Sequence, residues 1–287
     1  MKSKSVIITG TSKGIGLEAA LAFGRAGYKV FATMRNPDRA PELGLKAKQE
    51  SLPISISAMD VDSDESVKQC IETIHRVNGP VDVLVNNAGI ERHGSIEELD
   101  LSEFRAVMET NYFGVLRCIQ GVLPKMRANG GGCIINVASI AGRLASSPLG
   151  PYTASKFALE AVSEALAQEV KPFKIRVAIV EPGIIDTQMA RDINTKGNHS
   201  IYPNTRRIAG LFGASLKTPV KPTLVAEKIL EIADGESWQL RYPVGPDAAP
   251  FLGWRASMTD EAWIDWNAVD DDTWYDSVKR DFGLDAR

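Results

Sequence analysis

The sequence predicts a single-domain α/β protein: a doubly wound, mainly parallel sheet of seven strands with helices on both faces. Three observations carry that expectation. Short apolar runs alternate with longer amphipathic stretches as far as about residue 180, which is the βαβ pattern. The runs are continuously apolar rather than alternating, as in strands covered by helices on both sides. No Ser/Gly- or Pro-rich linker divides the 287 residues.

Val6-Ile7-Ile8 reads as a buried strand, followed by a glycine-rich turn and by helical spacing from Leu17 to Ala26. Tyr28 to Thr33 reads as the next strand. Further apolar runs at Ile54 to Ala58, Val81 to Val85, Cys133 to Val137 and Ile175 to Val180 alternate with amphipathic stretches near 63–77, 101–128 and 152–171. From about 186 to 220 the periodicity is weak and Gly, Pro and Asn are scattered, so this stretch reads as a substrate loop or lid. The main domain is assigned to 1–245.

The remainder, 246–287, reads as an acidic, Trp-rich C-terminal extension. Residues 258–287 carry nine Asp/Glu against three Lys/Arg, and four of the five tryptophans lie between 254 and 274. Such a segment is expected to pack on its own domain or on a neighbouring subunit, over the substrate entrance, with its rings buried and its carboxylates in water.

Composition excludes several classes of partner. The net charge of −3 and pI near 5.8 leave no basic excess to neutralise nucleic acid or an anionic membrane. The start, Met1-Lys2-Ser3-Lys4, leads into an apolar run too short for a signal-peptide core or a spanning helix. Cys70, Cys118 and Cys133 show neither metal spacing nor a redox gap, and are expected as buried small residues. A cytoplasmic protein without a metal is the expectation.

The first motif, Thr9-Gly10-Thr11-Ser12-Lys13-Gly14-Ile15-Gly16, sits between the first strand and the first helix. Glycines there let the backbone turn tightly and approach a pyrophosphate, whose charge is favoured by free N–H groups at a helix N-terminus. Three residues separate its first two glycines, unlike the usual dinucleotide spacing. Later landmarks follow in order: Asp60-Val61, Asn86-Asn87-Ala88-Gly89, Asn111, Ser139, Tyr152-x-x-x-Lys156 and Pro182-Gly183. Nearly all stand just after a predicted strand, at the carboxyl edge where open α/β sheets bind ligands.

This ordered set resembles the short-chain dehydrogenase/reductase family from about residue 5 to 243. The strand end Val30 to Arg35 and the run Ser155 to Glu160 resemble the 17-beta-hydroxysteroid/retinol dehydrogenase-like branch. The resemblance implies a Rossmann-like fold, and oxidoreductase chemistry in which Tyr152 donates a proton to a carbonyl oxygen as hydride arrives, or accepts one in alcohol oxidation. It implies that Ser139 polarises the carbonyl, that Lys156 also holds the ribose hydroxyls, and that Asn111 supports a water-linked proton relay. It implies cofactor contacts from Gly10, Ser12, Lys13, Gly14, Ile15, Gly16, Arg35, Asp60, Val61, Asn87, Ala88, Gly89, Pro182, Gly183, Ile185 and Thr187 as well as Tyr152 and Lys156, and assembly as a homodimer or homotetramer through the helices near 101–128 and 152–171.

Residue chemistry supports parts of this reading independently. Tyr152 and Lys156 are four apart on a predicted helix and share a face. A nearby ammonium favours the phenolate, so Lys156 is expected to bring Tyr152 down from its ordinary value near 10. Where NAD-binding folds place an acidic residue, about 20 positions past the glycines, this chain has Arg35, whose fork suits a 2′-phosphate. With Lys13 in the glycine turn, the expected cofactor is NADP(H).

The candidate pocket, from Ile90 to Ser95, Ala141 to Gly150 and the loop after Gly183, carries Leu144, Leu149, Ile184, Met189, Leu211 and Phe212. A small hydrophobic carbonyl compound or alcohol is expected there, steroid-, retinoid- or aromatic-like. His93 reads as a solvated loop residue. The alternatives are an NAD-preferring alcohol dehydrogenase of the same fold, or a non-redox NADP-binding epimerase or regulatory protein.

Overall fold

The computed structural model describes residues 3–195 and 200–287. Its core is a seven-stranded sheet in the order β3-β2-β1-β4-β5-β6-β7. The strands are β1 (Ser5–Thr9), β2 (Lys29–Met34), β3 (Ile54–Ala58), β4 (Val83–Asn86), β5 (Gly132–Val137), β6 (Ile175–Pro182) and β7 (Arg241–Val244). All six pairings are parallel, so the sheet is wholly rather than mainly parallel. The chain runs outward from β1 to β3, then returns to place β4 on the other side of β1. That reversal opens a crevice at the carboxyl ends of β1 and β4.

The apolar strands bury both faces. Val6 and Ile8 point into a core shared with α1 (Gly14–Arg25), α2 (Glu42–Gln49) and α9 (Pro222–Asp234), whereas Ile7 points into the other core. That second core is closed by α3 (Asp64–Asn78), α5 (Gly114–Ala128) and α6 (Gly150–Val170). β2 begins one residue later than the pattern implies. Tyr28 is buried before the strand, edge-on to Phe23, with its hydroxyl donating to Asp234 at 2.6 Å.

The amphipathic stretch near 101–128 is one long helix with a local irregularity. α4 (Leu101–Met108) runs through a π-helical turn, Glu109–Phe113, directly into α5. Such single turns mark an inserted residue and recur at functional sites.

The stretch 186–220 is more ordered than its composition implies. It forms α7 (Gln188–Thr195) and α8 (Asn204–Ser215), packed against each other over the carboxyl edge of the sheet; 196–199 lie outside the described residues. The extension forms α10 (Ala248–Ala256), α11 (Asp260–Ala268) and α12 (Asp271–Phe282) and packs on its own chain. Buried Arg207 of α8 fastens it, donating to Asp271 at 2.7 Å and to the carbonyls of Asn267 and Val269 at 3.0 and 2.6 Å. Among the described residues no helix is long and apolar enough to cross a membrane, and no cluster of three or more His, Cys, Asp or Glu could hold a metal. The three cysteines are buried and unpaired.

Candidate active site

The glycine turn after β1 is shaped by contact with the end of β4. The Thr9 hydroxyl accepts from the backbone N–H of Asn87 and of Ala88 at 3.0 and 2.9 Å. The Asn87 amide in turn donates to the carbonyls of Thr9 and Gly10 at 2.9 and 3.1 Å. Side chains at two of the glycines have no room: a Cβ at Gly10 would stand 2.7 Å from the Cα of Ala88, and one at Gly16 2.3 Å from the Gly10 carbonyl oxygen. Gly10 and Gly14 also have φ of 70° and 60°, a region glycine enters freely.

The first turn of α1 has no side-chain cap, because Lys13 occupies the cap position without bonding back. Its N–H groups are therefore available to an anion in the crevice. Gly10, Ser12, Lys13, Gly14 and Ile15 line one large cavity of about 1170 Å³. The arrangement fits a dinucleotide pyrophosphate: an approach open to backbone, a helix N-terminus, and a turn with no side chain in the way.

The end of that cavity next to β2 is positively charged. Lys13, Arg35 and Arg39 all line it and are exposed, and none of their side chains has a hydrogen-bond or ion-pair partner among the described residues. Glu42, which lines the same end, is paired with Lys46 at 2.8 Å. Arg39 was not among the residues expected there; it follows the strand end by one short 3₁₀ turn, Pro37–Arg39, beyond the reach of the spacing rule. Asp60 and Val61 also line the cavity, after β3, and the Asp60 carboxylate accepts from the backbone N–H of Asp62 at 3.2 Å.

Ser139, Tyr152 and Lys156 come together in the middle of the cavity. Ser139 follows β5; its hydroxyl accepts from the backbone N–H of Ala141 at 3.1 Å and hydrogen-bonds Tyr152. Tyr152 and Lys156 project from one face of α6, with the Lys156 Nζ 5.6 Å from the Tyr152 ring centroid. The Lys156 Nζ donates to the Val137 carbonyl at 2.9 Å.

The expected pull of Lys156 on Tyr152 is not the dominant effect in this geometry. Burial pushes the phenol up to about 12, against the Ser139 hydrogen bond, which lowers it; Glu91 adds a smaller rise. Burial likewise pushes the Lys156 ammonium down to about 8, opposed by Glu160. Both shifts have one physical cause: the charged forms lose water in the same enclosed site. Tyr152 is therefore held as a neutral phenol.

Asn111 stands behind the cavity rather than on its wall. The π-helical turn directs its side chain inward, where its oxygen accepts from the Ile90 N–H at 2.8 Å. Its amide donates to the Ile90 carbonyl at 2.9 Å and to the Ser155 hydroxyl at 3.0 Å, and Ser155 donates to the Tyr152 carbonyl at 2.7 Å. It thus ties the loop after β4 to the helix that carries Tyr152. Asn86 serves the sheet, through Asn136 at 2.8 Å and on to Ser163 at 2.8 Å.

Pro182, Gly183, Ile185 and Thr187 form the opposite rim after β6. Thr187 lies across the glycine turn, with its methyl 3.4 Å from where a Cβ of Gly14 would stand. Buried Asp247, which the sequence offered no reason to single out, accepts from the Ile184 N–H at 2.7 Å and so holds this rim from below. Desolvation raises its carboxyl above the usual range.

The apolar end contains all six expected residues, Leu144, Leu149, Ile184, Met189, Leu211 and Phe212. It is closed by the C-terminal extension, through Phe251, Trp254, Trp263, Trp266, Trp274 and Phe282. His93 is not solvated: its side chain is 6% exposed and pairs with the equally buried Glu91 at 2.9 Å.

Comparison with known proteins agrees with this geometry. Residues 4–198 match the family model described as short chain dehydrogenase. The chain is 35% identical to an uncharacterized oxidoreductase, YusZ, of Bacillus subtilis (strain 168), covering 92% of this chain and 96% of that protein. It is 37% identical to retinol dehydrogenase 8 of Bos taurus over 70% of this chain and 65% of that one. A short-chain dehydrogenase structure from Streptomyces avermitilis superimposes with a TM-score of 0.79 at 32% identity, covering 93% of this chain and 96% of that one. The chain belongs to the short-chain dehydrogenase/reductase family of oxidoreductases, which bind a nicotinamide cofactor.

Proposed function

We propose that the protein is an NADP(H)-dependent oxidoreductase that interconverts a hydrophobic ketone or aldehyde and its alcohol. The observation that carries this reading is the order of groups along one cavity. Three unpaired cations stand at one end, Ser139, Tyr152 and Lys156 in the middle, and an apolar wall at the other.

The unpaired guanidinium and ammonium groups of Arg35, Arg39 and Lys13 suit a 2′-phosphate, and the carboxylate of Glu42 is taken up by Lys46. The nicotinamide supplies or takes the hydride when bound. The Ser139 hydroxyl donates to the carbonyl oxygen and stabilises the charge that develops there. The Tyr152 hydroxyl delivers the proton that completes the alcohol, and in the reverse direction its oxygen receives it. Lys156 holds its charge beside the phenol from the Val137 carbonyl, while Asn111 acts through Ile90 and Ser155 on the placement of Tyr152.

We place the protein in the cytoplasm as a homodimer or homotetramer, with α4–α5 and α6 as the contact. Phe113 and Phe157, 45% and 43% exposed on those helices, support that face. The test of the function is a panel of apolar ketones and aldehydes assayed with each cofactor. A kcat/KM at least about tenfold higher with NADPH than with NADH is expected from charge-assisted bonds to one phosphate. Equal use of the two cofactors overturns the assignment.

A further inference from the structure

Behind Ser139 and Lys156 lies a cluster of charges that the chemistry above does not use. Glu160 stands one turn after Lys156 on α6. Its Cγ and the Lys156 carbonyl oxygen lie 2.9 and 3.1 Å from where a Cβ of Gly142 would stand. Gly142 ends the 3₁₀ turn that Ser139 caps, so Glu160 packs against the turn carrying the serine while sharing a helix with the lysine. Arg241 of β7 donates its Nε to Glu160 at 2.8 Å and its Nη2 to Glu164 at 2.6 Å. The same Nε lies 3.9 Å from Glu181 of β6, and Arg143, just past the 3₁₀ turn, donates to Glu181 at 3.2 Å.

Two oxygens of this cluster, Oε1 of Glu160 and Oε2 of Glu181, are buried and have no partner among the described residues. The two side chains are 6% and 1% exposed. Neither residue lines the large cavity, so a molecule bound there does not meet these oxygens. Buried polar atoms without a partner are costly, and two of them on carboxylates that share a guanidinium call for one explanation.

Charge supplies it. The carboxylates of Glu160, Glu164 and Glu181 face the guanidiniums of Arg143 and Arg241, which leaves the group one charge negative. Lys156, the remaining cation nearby, spends its Nζ on the Val137 carbonyl. A single proton balances the group and turns one orphaned oxygen into a donor. Burial raises the Glu160 carboxyl well above the ordinary carboxylate range, against the Arg241 hydrogen bond, which lowers it; the Glu181 charge adds to the rise.

We propose that Glu160 and Glu181 hold one proton between them at neutral pH, and that ionised Glu160 is the positioning residue that keeps Lys156 an ammonium. Burial drives Lys156 toward its neutral form, and the charge of Glu160 opposes that. As pH rises the pair gives its proton to water, and the charge beside Lys156 grows where the lysine would otherwise release its own. The effect on turnover rests on the carbonyl–alcohol reading; the shared proton does not.

The test is an NMR pH titration of the full chain, labelled at glutamate Cδ and lysine Cε. The signals of the pair are expected to titrate together near neutral pH, about two pH units above an ordinary glutamate. Glu160→Gln and Glu181→Gln are each expected to abolish that step. Glutamine has the shape of the protonated acid, so both variants are expected to stay folded. Their effects on Lys156 differ in direction. Glu160→Gln removes the supporting charge and lowers the Lys156 midpoint by about one pH unit. Glu181→Gln leaves Glu160 ionised and the Lys156 midpoint unchanged or higher. The alkaline limb of kcat/KM with NADPH is expected to follow the same pattern.

Titration of every glutamate below about pH 5 in the unmutated protein overturns the proposal without recourse to a variant. So does a Lys156 midpoint that both variants move alike or leave alone. A neutral-range pair in a protein that turns over no carbonyl keeps the shared proton and removes the oxidoreductase reading. Turnover with ordinary glutamates and an unmoved Lys156 keeps that reading and removes the pair.

Discussion

The two ends of the cavity are built by different means. At the cofactor end the walls are backbone: a glycine turn, an uncapped helix start and strand ends whose positions follow from the parallel sheet. At the substrate end they are side chains carried by α7, α8 and the C-terminal helices, which contribute no strand. Backbone walls tolerate little variation, because a single Cβ at Gly10 or Gly16 would collide with main chain. Side-chain walls can be rebuilt one residue at a time without disturbing the sheet. Under the proposed function, the difference teaches that the shared chemistry and the choice of substrate sit on separable structures.

If the ends are separable, changes at one should leave the other untouched. The largest effect is expected between them: Tyr152→Phe should lower kcat by about 10³-fold, the range for losing a positioned acid. NADPH affinity, followed by fluorescence titration, should stay within about threefold. Turnover near that of the unmutated protein would remove Tyr152 from the chemistry.

Next in size, Arg35→Asp should lower kcat/KM for NADPH by about 10- to 10²-fold, matching the loss of a charge-assisted bond. The KM of the ketone should not move. A parallel rise in ketone KM would show that the two ends are coupled.

A smaller change is expected from Arg207→Ala, which removes the clip between α8 and the extension. Stability should fall by about 2–3 kcal/mol in urea unfolding, since three carbonyl or carboxylate partners lose a buried donor. Ketone KM should rise severalfold with NADPH affinity unchanged. An unchanged ketone KM would mean that the aromatic wall is not part of the substrate site.

The smallest effect concerns pH. Burial lowers the folded-state pKa of Lys156 to about 8, below its ordinary 10.5. Between about pH 8 and pH 10 the unfolded chain holds the proton that the folded one has released, so stability rises with pH. Above about 10 the raised value of Tyr152 acts in the opposite direction. Lys156→Met should flatten the rise in a series of denaturant titrations, and an unchanged slope would contradict the burial argument.

Most of the cofactor end is legible in the sequence because glycine spacing and strand order leave few geometries open. Gly10 and Gly14, Asn87 to Gly89, and Pro182 with Gly183 all line the cavity at the strand ends that their positions imply, whereas Gly16 lies behind the turn, packed against the Gly10 carbonyl and the Asn87 amide. The lid is less legible. Its helices carry Gly, Pro and Asn and bury little beyond Ile193, Thr205, Arg207, Ile208 and their neighbours, so their periodicity is faint. The aromatic content of the extension is evident from composition, but its docking depends on Arg207 meeting Asp271, a pairing between distant residues that no local pattern encodes. The buried Glu91–His93 pair was hidden for the same reason, since a loop histidine is ordinarily wet.

The π-helical turn at Glu109–Phe113 has a consequence for how this family's chemistry can be altered by insertion and deletion. One surplus residue there sets the phase between α4 and α5. Deleting any residue of that turn other than Asn111 would restore an ordinary helix, yet rotate everything on one side by about 100° relative to the other. Asn111 would swing away from Ile90 and Ser155, even though every motif remained present. The helix thus acts as a counting device, and its count is as much a part of the site as any side chain.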